Sequence, residues 1–364
     1  MKYFTIPSYF LVALIAWGVT GALTPYVRKI ARWTGAVDYP GGRRIHKRPK
    51  PRLGGLAIYA GFVTALLVAI PMSRTIEVLR SANQLIIRIP LVPESDRAMV
   101  GILLGGTLIT LLGAIDDIRG MHPGVKFLGQ VVCAALLIPF GLSTLFLTNP
   151  LSGIMYIGRW GALVTTLWVV ATTNIINFID GVDGLAAGIS AIAAIVLFLT
   201  ASQRQDLPAM AMMAAVVGSS LGFLRYNFNP ARIFMGDSGS MFLGYVLGAV
   251  SVMGLYKSVT AISLLVPLLA LGVPIFDTAF AIVRRLRTGY PIYLPDRGHL
   301  HHRLLDRGLT QRQTVLLLYL LSAFLGIGAL ALAGINRVPA LITLGAIAVV
   351  LIVGAKRMGL LQFH

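Results

Sequence analysis

The sequence predicts an all-α polytopic membrane protein with about eleven transmembrane helices, and its composition excludes a soluble globular domain. Of the 364 residues, 57% are hydrophobic and 12% are charged, whereas a soluble domain carries about 25% charged residues. Apolar runs of about 20 residues, long enough to cross a ~30 Å hydrocarbon core as a helix, recur along the whole chain. The single cysteine, Cys133, excludes a disulfide framework. We therefore expect one integral membrane domain over residues 1–364.

Glycine, proline and charged residues separate the hydrophobic runs and place the ends of the predicted helices. The first run is too long for the apolar core of a signal peptide and lacks a small-residue cleavage site, so we expect it to be retained. Residues 73–97, where Arg80 and Arg88 interrupt short apolar stretches, are expected to form an amphipathic surface segment. The predicted transmembrane helices cover residues 8–27, 53–72, 98–115, 126–147, 161–178, 185–202, 209–225, 239–256, 259–281, 314–334 and 338–355.

The distribution of lysine and arginine predicts how the helices are oriented across the membrane. Of the 31 Lys and Arg residues, 22 fall on one side when the crossings are counted. The positive-inside rule makes that side cytoplasmic, with the N-terminus outside and the C-terminus inside. The net charge of +18 then reflects basic loops that contact anionic lipid, and we expect no nucleic-acid partner. The predicted cytoplasmic loops are residues 28–52, 116–125, 179–184, 226–238 and 282–313.

The acidic residues are few, and the predicted topology places most of the informative ones on the same side. The chain has 13 Asp and Glu residues in total. Ionisable groups at membrane depth are expensive and usually functional, so their clustering predicts one cytoplasmic site built from several loops. The residues on that side are Asp116, Asp117, Asp180, Asp183, Asp237 and Asp277, together with His299, His301 and His302.

Asp116 and Asp117 close the third predicted helix. Because adjacent helical residues point ~100° apart, both carboxylates can serve one site only if the helix ends here, as Gly120 permits. The pair is suited to organising Mg²⁺ or to orienting a phosphate nucleophile. The alternative is a salt-bridged helix end, in which these carboxylates pair with Arg119 and Lys126.

The densest polar motif contains Asn174, Asn177, Asp180 and Asp183. The two asparagines lie on one helix face at i and i+3, but a continuous helix would carry Asp183 to the opposite face. The glycine after each aspartate predicts a break in the helix, which lets the four polar side chains converge. Amide and carboxylate oxygens are what a hard cation and a nucleotide require. An ordinary helix cap followed by a turn explains only one asparagine and one aspartate.

A Gly-Asp-Ser-Gly turn at residues 236–239 opens the eighth predicted helix. Its glycines expose backbone N–H groups at the positive end of a helix, which is an anion site, whereas Asp237 would hold a cation. A metal ion that carries a phosphate reconciles the two interpretations. Taken alone, capping of the helix by Asp237 or Ser238 explains the same turn.

The last polar motif is a histidine-rich stretch at residues 296–303. Three histidines in four positions suggest zinc, but cysteine and glutamate ligands are missing nearby. Imidazoles beside Arg297 and Arg303 are better suited to a pyrophosphate. A solvated basic loop is the alternative.

Two further features also have structural explanations. The basic segment around Lys47, ahead of the second predicted helix, is either a positive-inside anchor or a contact for an acidic lipid headgroup. Asp277, in the ninth predicted helix, either joins the site or pairs with Arg284 or Arg285 one to two turns further on.

Together these motifs resemble the polyprenyl-phosphate N-acetylhexosamine-1-phosphate transferase superfamily. The family's five motifs occur in order between residues 45 and 303: the basic Gly-Gly loop, Asp-Asp, Asn-x-x-Asn-x-x-Asp-Gly-x-Asp-Gly, Gly-Asp-Ser-Gly and His-x-His-His. The His-Leu-His-His-Arg form and the Ile45-His46-Lys47 segment resemble the WecA/TagO branch. The phospho-N-acetylmuramoyl-pentapeptide transferase branch has a different histidine triplet.

The resemblance implies transfer of N-acetylhexosamine-1-phosphate, most often GlcNAc-1-phosphate, from the UDP-sugar to undecaprenyl phosphate, with release of UMP. It implies a Mg²⁺ requirement that Mn²⁺ can also meet, a bacterial cytoplasmic membrane location and membrane lipid as a partner; a homodimer stays open. By position, Asn177 and Asp237 would be metal ligands, and Asp116 and Asp117 would position or deprotonate the lipid phosphate. The implied substrate-binding residues are Lys47, Lys126, Asn174, Asp180, Asp183, His299, His301, His302 and Arg303.

Three other activities share part of this pattern. The CDP-alcohol phosphotransferase motif also opens with Asp-x-x-Asp-Gly but continues with Ala-Arg, whereas Gly188 follows Ala187 here, which excludes it. An ion-coupled transporter is the alternative from a different class, although it would place carboxylates near mid-bilayer and not at helix ends. Phospho-N-acetylmuramoyl-pentapeptide transferase activity is the alternative within the superfamily.

Overall fold

The computed structural model describes residues 6–40, 48–81, 94–144, 146–149, 153–256, 265–288, 299–333 and 345. These residues are predominantly helical, and seven helices among them are long and apolar enough to cross a membrane. The chain is therefore a helical, multi-pass membrane protein, in agreement with its composition. Two small antiparallel hairpins supply the described β-structure.

The described helices follow one another along the chain. They are α1 (Ile6–Trp33), α2 (Gly55–Ser81), α3 (Glu94–Arg119), α4 (Pro123–Ala135), α5 (Trp160–Ile179), α6 (Leu185–Gln203), α7 (Leu207–Asn227), α8 (Gly236–Tyr256), α9 (Leu265–Ala270), α10 (Gly272–Thr288), α11 (Leu300–Asp306) and α12 (Gln311–Ala333). A 3₁₀ turn covers Ile138–Phe140, and the strands are β1 (Val37–Asp38), β2 (Lys50–Pro51), β3 (Phe146–Asn149) and β4 (Gly153–Tyr156). β1 pairs with β2, and β3 pairs with β4.

Helix α8 lies at the centre of the bundle and packs against α2, α3, α5 and α6. Its residues 241–247 are fully buried. Gly244 and Gly248 face Thr172 of α5 so closely that a Cβ at either position would overlap it. Small residues allow such close contact between helices in a membrane, where apolar burial against lipid supplies little drive for association. Glycine on α8 thus fixes its distance from α5.

Helix α6 is the second buried helix and packs between α7 and α12. Its first residues are small and buried, and Gly188 leaves room for the ring of Tyr319 from α12. The Tyr319 hydroxyl donates a hydrogen bond to the carbonyl of Gly184, 2.5 Å away. Helix α12 is thereby bonded to the turn that precedes α6.

Two predicted spans differ from the structure. Residues 126–147 were expected to form one helix, but α4 ends at Ala135 and the chain turns at Gly141, which has φ +86°. Pro139 removes a backbone donor and Gly141 adopts a left-handed conformation, which together end the helix. The β3–β4 hairpin, which the hydrophobic pattern did not predict, begins within the remaining part of that span.

The predicted helix over residues 259–281 is interrupted. Leu271 separates α9 from α10, and α10 continues to Thr288. Pro274 falls in the first turn of α10, where a missing backbone N–H is tolerated. Part of the expected surface segment, up to Ser81, continues α2 as helix. The eleventh predicted span, residues 338–355, lies outside the described residues except for position 345.

The ends of several helices meet at one end of the bundle. The C-terminal ends of α3, α5 and α7 lie there with the N-terminal ends of α2, α4, α6, α8 and α12. Backbone hydrogen bonds join them directly: the N–H groups of Gly54 and Gly55 donate to the carbonyls of Phe234 and Met235. The predicted polar motifs lie at these ends, so the fold brings them together.

Candidate active site

The junction of α3 and α8 is built around the carboxylate of Asp117. This carboxylate accepts hydrogen bonds from the backbone N–H groups of Asp237 (2.9 Å) and Ser238 (3.1 Å), and from the Ser238 hydroxyl (2.9 Å). Asp117 is only 2% exposed. A negative charge at the N-terminus of a helix is stabilised by the free N–H groups and by the helix dipole. Capping by Asp237 or Ser238 was the alternative interpretation of this turn, whereas the acceptor comes from α3.

Glycines permit this junction by leaving no side chain between the helices. Gly236 has φ +72°, and a Cβ on it would overlap the Asp117 carboxylate. A Cβ on Gly113 of α3 would overlap the backbone of Ser238, and one on Gly55 of α2 would overlap the backbone of α8. The backbones of α2 and α3 therefore lie directly against the first turn of α8.

Lys126, in the first turn of α4, connects two carboxylates. Its ammonium group lies 2.9 Å from Asp116 Oδ2 and makes a second, short ion pair with Asp237 Oδ2. Asn177 of α5 donates from Nδ2 to Asp237 Oδ1 (2.6 Å) and to the Ser240 hydroxyl (2.8 Å). Asp237 is thus held on one side by a cation and on the other by an amide.

The turn between α5 and α6 carries two aspartates with different surroundings. Asp183 accepts hydrogen bonds from Lys50 Nζ (3.2 Å), Asn229 Nδ2 (3.2 Å) and the backbone N–H of Ala231 (2.8 Å). For Asp180, no residue in the described part of the chain donates a hydrogen bond to the carboxyl group. Burial raises the pKa of Asp180 well above its ordinary value, and the nearby carboxylates of Asp237, Asp117 and Asp183 raise it further.

A cavity of about 340 Å³ lies between these elements. Carboxylates, amides and one arginine dominate its wall, so it suits a polar, charged ligand. Its lining residues are Asp38, Arg52, Asp117, Asn177, Asp180, Gly181, Val182, Asp183, Asn227, Phe234, Gly236, Asp237, His302 and Gln311.

The histidine stretch forms α11 and contacts the cavity through one residue. His302 lines the cavity, whereas His299 lies against Asp277 of α10 and His301 is 2% exposed. Burial lowers the pKa of His301 to about 3, and the neighbouring imidazoles contribute in the same direction. His301 is therefore neutral at ordinary pH. Arg303 is half-buried on the same short helix.

Several predicted site residues that the structure describes do not line the cavity, namely Asp116, Lys126, Asn174, His299, His301 and Arg303. Asn174 donates to Gln130 Oε1 (2.6 Å) and to the carbonyl of Val170 (2.9 Å) within the α4–α5 contact. Lys47 lies outside the described residues. The basic segment nevertheless reaches the site through Lys50 and Arg52, whose Nε donates to the carbonyl of Asp117 (3.1 Å).

Sequence reasoning missed several residues that build the site. Lys50 and Arg52 belong to the basic segment around Lys47. They are two residues apart at β2, a spacing that places both side chains on the same side of an extended chain, and this alternation is the signal that could have identified them. Asn229 is hydrogen-bonded to Gln311, the first residue of α12. Neither residue belongs to one of the predicted motifs. Their partnership depends on helix packing, which the pattern of hydrophobic residues does not specify.

The donor set fits a hard divalent cation. No group of three acidic, histidine or cysteine side chains among the described residues is arranged to hold a metal by itself. Mg²⁺, however, is usually held by one or two carboxylates together with substrate phosphates. Asp237, Asn177 and Asp180 supply oxygen atoms in one cavity. Because the carboxyl group of Asp180 accepts no hydrogen bond from the described residues, a cation would improve its environment most.

Comparison with known proteins gives consistent matches. Residues 99–255 match the model of the family described as Glycosyl transferase family 4. A probable undecaprenyl-phosphate N-acetylglucosaminyl 1-phosphate transferase of Bacillus subtilis is 41% identical over 85% of this chain and 81% of its own length. A decaprenyl-phosphate N-acetylglucosaminephosphotransferase of Mycolicibacterium smegmatis is 36% identical over 88% of this chain and 80% of its own.

A more distant relative agrees with these two. The undecaprenyl-phosphate alpha-N-acetylglucosaminyl 1-phosphate transferase of Escherichia coli is 29% identical over 84% of this chain and 79% of its own length. The resemblance predicted from the five motifs is confirmed by these matches. The chain belongs to glycosyl transferase family 4 and, within it, to the polyprenyl-phosphate N-acetylglucosamine-1-phosphate transferases that these relatives represent.

Proposed function

We propose that this protein transfers GlcNAc-1-phosphate from UDP-GlcNAc to undecaprenyl phosphate, which gives the lipid-linked sugar diphosphate and UMP. The observation that carries the proposal is the 41% identity to the Bacillus subtilis relative over 85% of the chain. The polar cavity supports it, because a reaction between two anions needs a site that places cations and hydrogen-bond donors around them.

The position of the cavity at the helix ends suits a lipid acceptor. An acceptor phosphate stays at the membrane surface while its polyprenyl tail remains in the hydrocarbon. We place this end of the bundle at the cytoplasmic face of a bacterial cytoplasmic membrane, because the positive-inside rule assigns the basic loops to that side. UDP-sugars are charged and water-soluble, so they would reach the cavity from the same side.

We assign Asp237, Asn177 and Asp180 to a Mg²⁺ site next to the donor pyrophosphate. The chemistry supplied by a bound Mg²⁺ is neutralisation of the phosphate charge, which allows the second anion to approach. Lys126 holds Asp237 in place and offsets part of the negative charge of Asp116 and Asp237. Arg52 and His302 line the same wall, where they would contact the phosphates of the donor.

We assign Asp116 and Asp117 a positioning role in place of proton abstraction. Asp117 already accepts three hydrogen bonds at the start of α8, and Asp116 is bonded to Lys126 and to the backbone N–H of Met121 (2.6 Å). Both carboxylates are therefore fixed in place by several partners, which suits them to a positioning role. The lipid phosphate monoester is itself largely ionised near neutral pH, with a second pKa near 6, so a strong base is unnecessary.

The test is a transfer assay on the purified protein. With undecaprenyl phosphate and radiolabelled UDP-GlcNAc, we expect labelled lipid and an equal amount of UMP. EDTA should abolish the reaction, and Mg²⁺ or Mn²⁺ should restore it. Parallel reactions with UDP-GalNAc and with UDP-N-acetylmuramoyl-pentapeptide test the donor. Absence of UMP with every donor would refute the proposal, and activity that resists chelation would refute the metal site.

A further inference from the structure

We propose that Asp277 is a positioning residue of this enzyme, which orients α11 so that His302 faces the cavity. The expected effect of Asp277 on binding of the donor sugar nucleotide rests on the proposed function. The orientation of α11 rests on contacts between α10, α11 and the turn that precedes α6.

Asp277 bonds α11 at two points. Its Oδ2 lies 3.0 Å from His299 Nδ1, and its Oδ1 accepts a hydrogen bond from the backbone N–H of Leu300 (2.6 Å). His299 is the residue that precedes α11, and its own side chain makes no capping hydrogen bond. The first N–H groups of a helix need an outside acceptor, and here α10 supplies it. Asp277 therefore fixes both the position of the helix and the orientation of its first imidazole.

The imidazoles continue from this anchor toward the cavity. The rings of His299 and His301 are nearly parallel, with centroids 5.7 Å apart, and the ring of His302 lies 4.4 Å from that of His301. A Cβ built on Gly181 would lie 3.1 Å from His301 Nε2, so His301 contacts the α5–α6 turn directly beside Asp180. Because these rings are packed against one another, a shift of His299 would displace His302.

Burial makes the Asp277–His299 pair sensitive to substitution. The side chain of His299 is 10% exposed and that of Asp277 is 6% exposed. A carboxylate bonded to the ring nitrogen of a histidine fixes the orientation of that ring, and loss of such a partner commonly costs about 10- to 100-fold in the function of the site. The carboxylate is thus placed to support the site without touching the substrate.

Kinetics of four variants test the proposal. We expect Asp277→Ala to raise the KM for UDP-GlcNAc about tenfold or more and to leave the KM for undecaprenyl phosphate nearly unchanged. Asp277→Asn keeps an acceptor for Leu300 and should lose less. His299→Ala should resemble Asp277→Ala, and the double variant should lose no more than either, since the two act as one unit. Asp306 is an exposed aspartate at the end of α11, and the Asp306→Asn variant is the matched control.

A second measurement does not depend on activity. Carbethoxylation of His299 by diethyl pyrocarbonate, followed by mass spectrometry, should be faster in Asp277→Ala than in the wild-type protein and unchanged in Asp306→Asn. Equal modification of His299 in both variants, or an equal increase of both KM values, would overturn the assignment. If the wild-type protein releases no UMP, the proposed function fails, while the modification rates still decide the role of Asp277.

Discussion

The two walls of the cavity hold their carboxylates in opposite ways. At the junction of α3 and α8, Asp117 accepts three hydrogen bonds and Asp237 is held by Lys126 and Asn177. On the α5–α6 turn, Asp183 is bonded to Lys50 and its neighbours, but Asp180 receives no hydrogen bond from any described residue. The aspartates of this one cavity therefore differ in the hydrogen-bond donors that surround them.

The difference separates carboxylates that build the site from those that bind a ligand. A buried carboxylate with several donors stabilises the fold, because removing it leaves those donors unsatisfied. A buried carboxyl without donors destabilises the fold and is retained where a ligand needs it. By this reasoning we propose that Asp117 mainly positions the start of α8 and that Asp180 binds a ligand. Asp237, which has partners but also faces the cavity, belongs to both groups.

The largest effect is expected for Asp237→Asn. The substitution removes the charge that pairs with Lys126 and the oxygen assigned to the metal, so UMP release should fall at least ~100-fold. The variant keeps the size of the side chain and should still fold, which size-exclusion chromatography can check. Near-normal turnover in the Asp237→Asn variant would remove Asp237 from the site.

The contrast between Asp180→Asn and Asp117→Asn is expected to be nearly as large. Asp180→Asn should raise the Mg²⁺ concentration for half-maximal activity about tenfold or more, with an unchanged or higher melting temperature, because repulsion between carboxylates is relieved. Asp117→Asn should lower the melting temperature, since a neutral amide cannot satisfy the same donors and each unsatisfied donor costs about 1–3 kcal/mol. Equal melting temperatures in the two variants would contradict the distinction between the walls.

A smaller effect concerns the pH dependence of stability. The folded-state pKa of His301, about 3, lies below its value in the unfolded chain, so the unfolded chain binds the extra proton as the pH falls. The wild-type protein should therefore lose about 2 kcal/mol of stability between pH 7 and pH 5 through this residue. His301→Gln should show a smaller fall in melting temperature over that interval, and an identical fall would contradict the buried, neutral imidazole.

The smallest effect is expected for Ser238→Ala. Asp117 would lose one of its three donors but keep both backbone N–H groups, which costs about 1 kcal/mol of stability. UMP release should fall only severalfold, because α8 keeps its cap. Denaturation in detergent and the transfer assay, measured together, would show whether the side-chain hydrogen bond matters more than the two backbone bonds.

Much of the site could be predicted because its chemistry lies in short motifs. Composition and hydrophobic runs predicted a helical membrane protein, and counting crossings placed Asp117, Asp180 and Asp237 at one end of it. These features depend on residue type and local spacing, which a sequence states directly. The structure brings the three aspartates to one cavity.

The remaining features depend on contacts between distant segments. The acceptor for the N-terminus of α8 comes from Asp117, 120 residues earlier in the chain, so the local cap signals at Asp237 and Ser238 were misleading. Asp277 was expected to join the site or to pair with Arg284 or Arg285, and the structure places His299 against it, a partner that neither interpretation named. Such partners are set by the packing of helices, to which hydrophobic periodicity is insensitive.

The bond between Tyr319 and Gly184 limits how the chain can be shortened. The segment that matches the family model ends at residue 255, yet His302 and Gln311 from beyond it complete the cavity wall. The hydroxyl of Tyr319 also holds the carbonyl at the start of α6. A fragment that ends at residue 255 would therefore lack the last 109 of the 364 residues and, with them, the part of the cavity wall that His302 and Gln311 supply. The smallest unit that can work extends at least through α12.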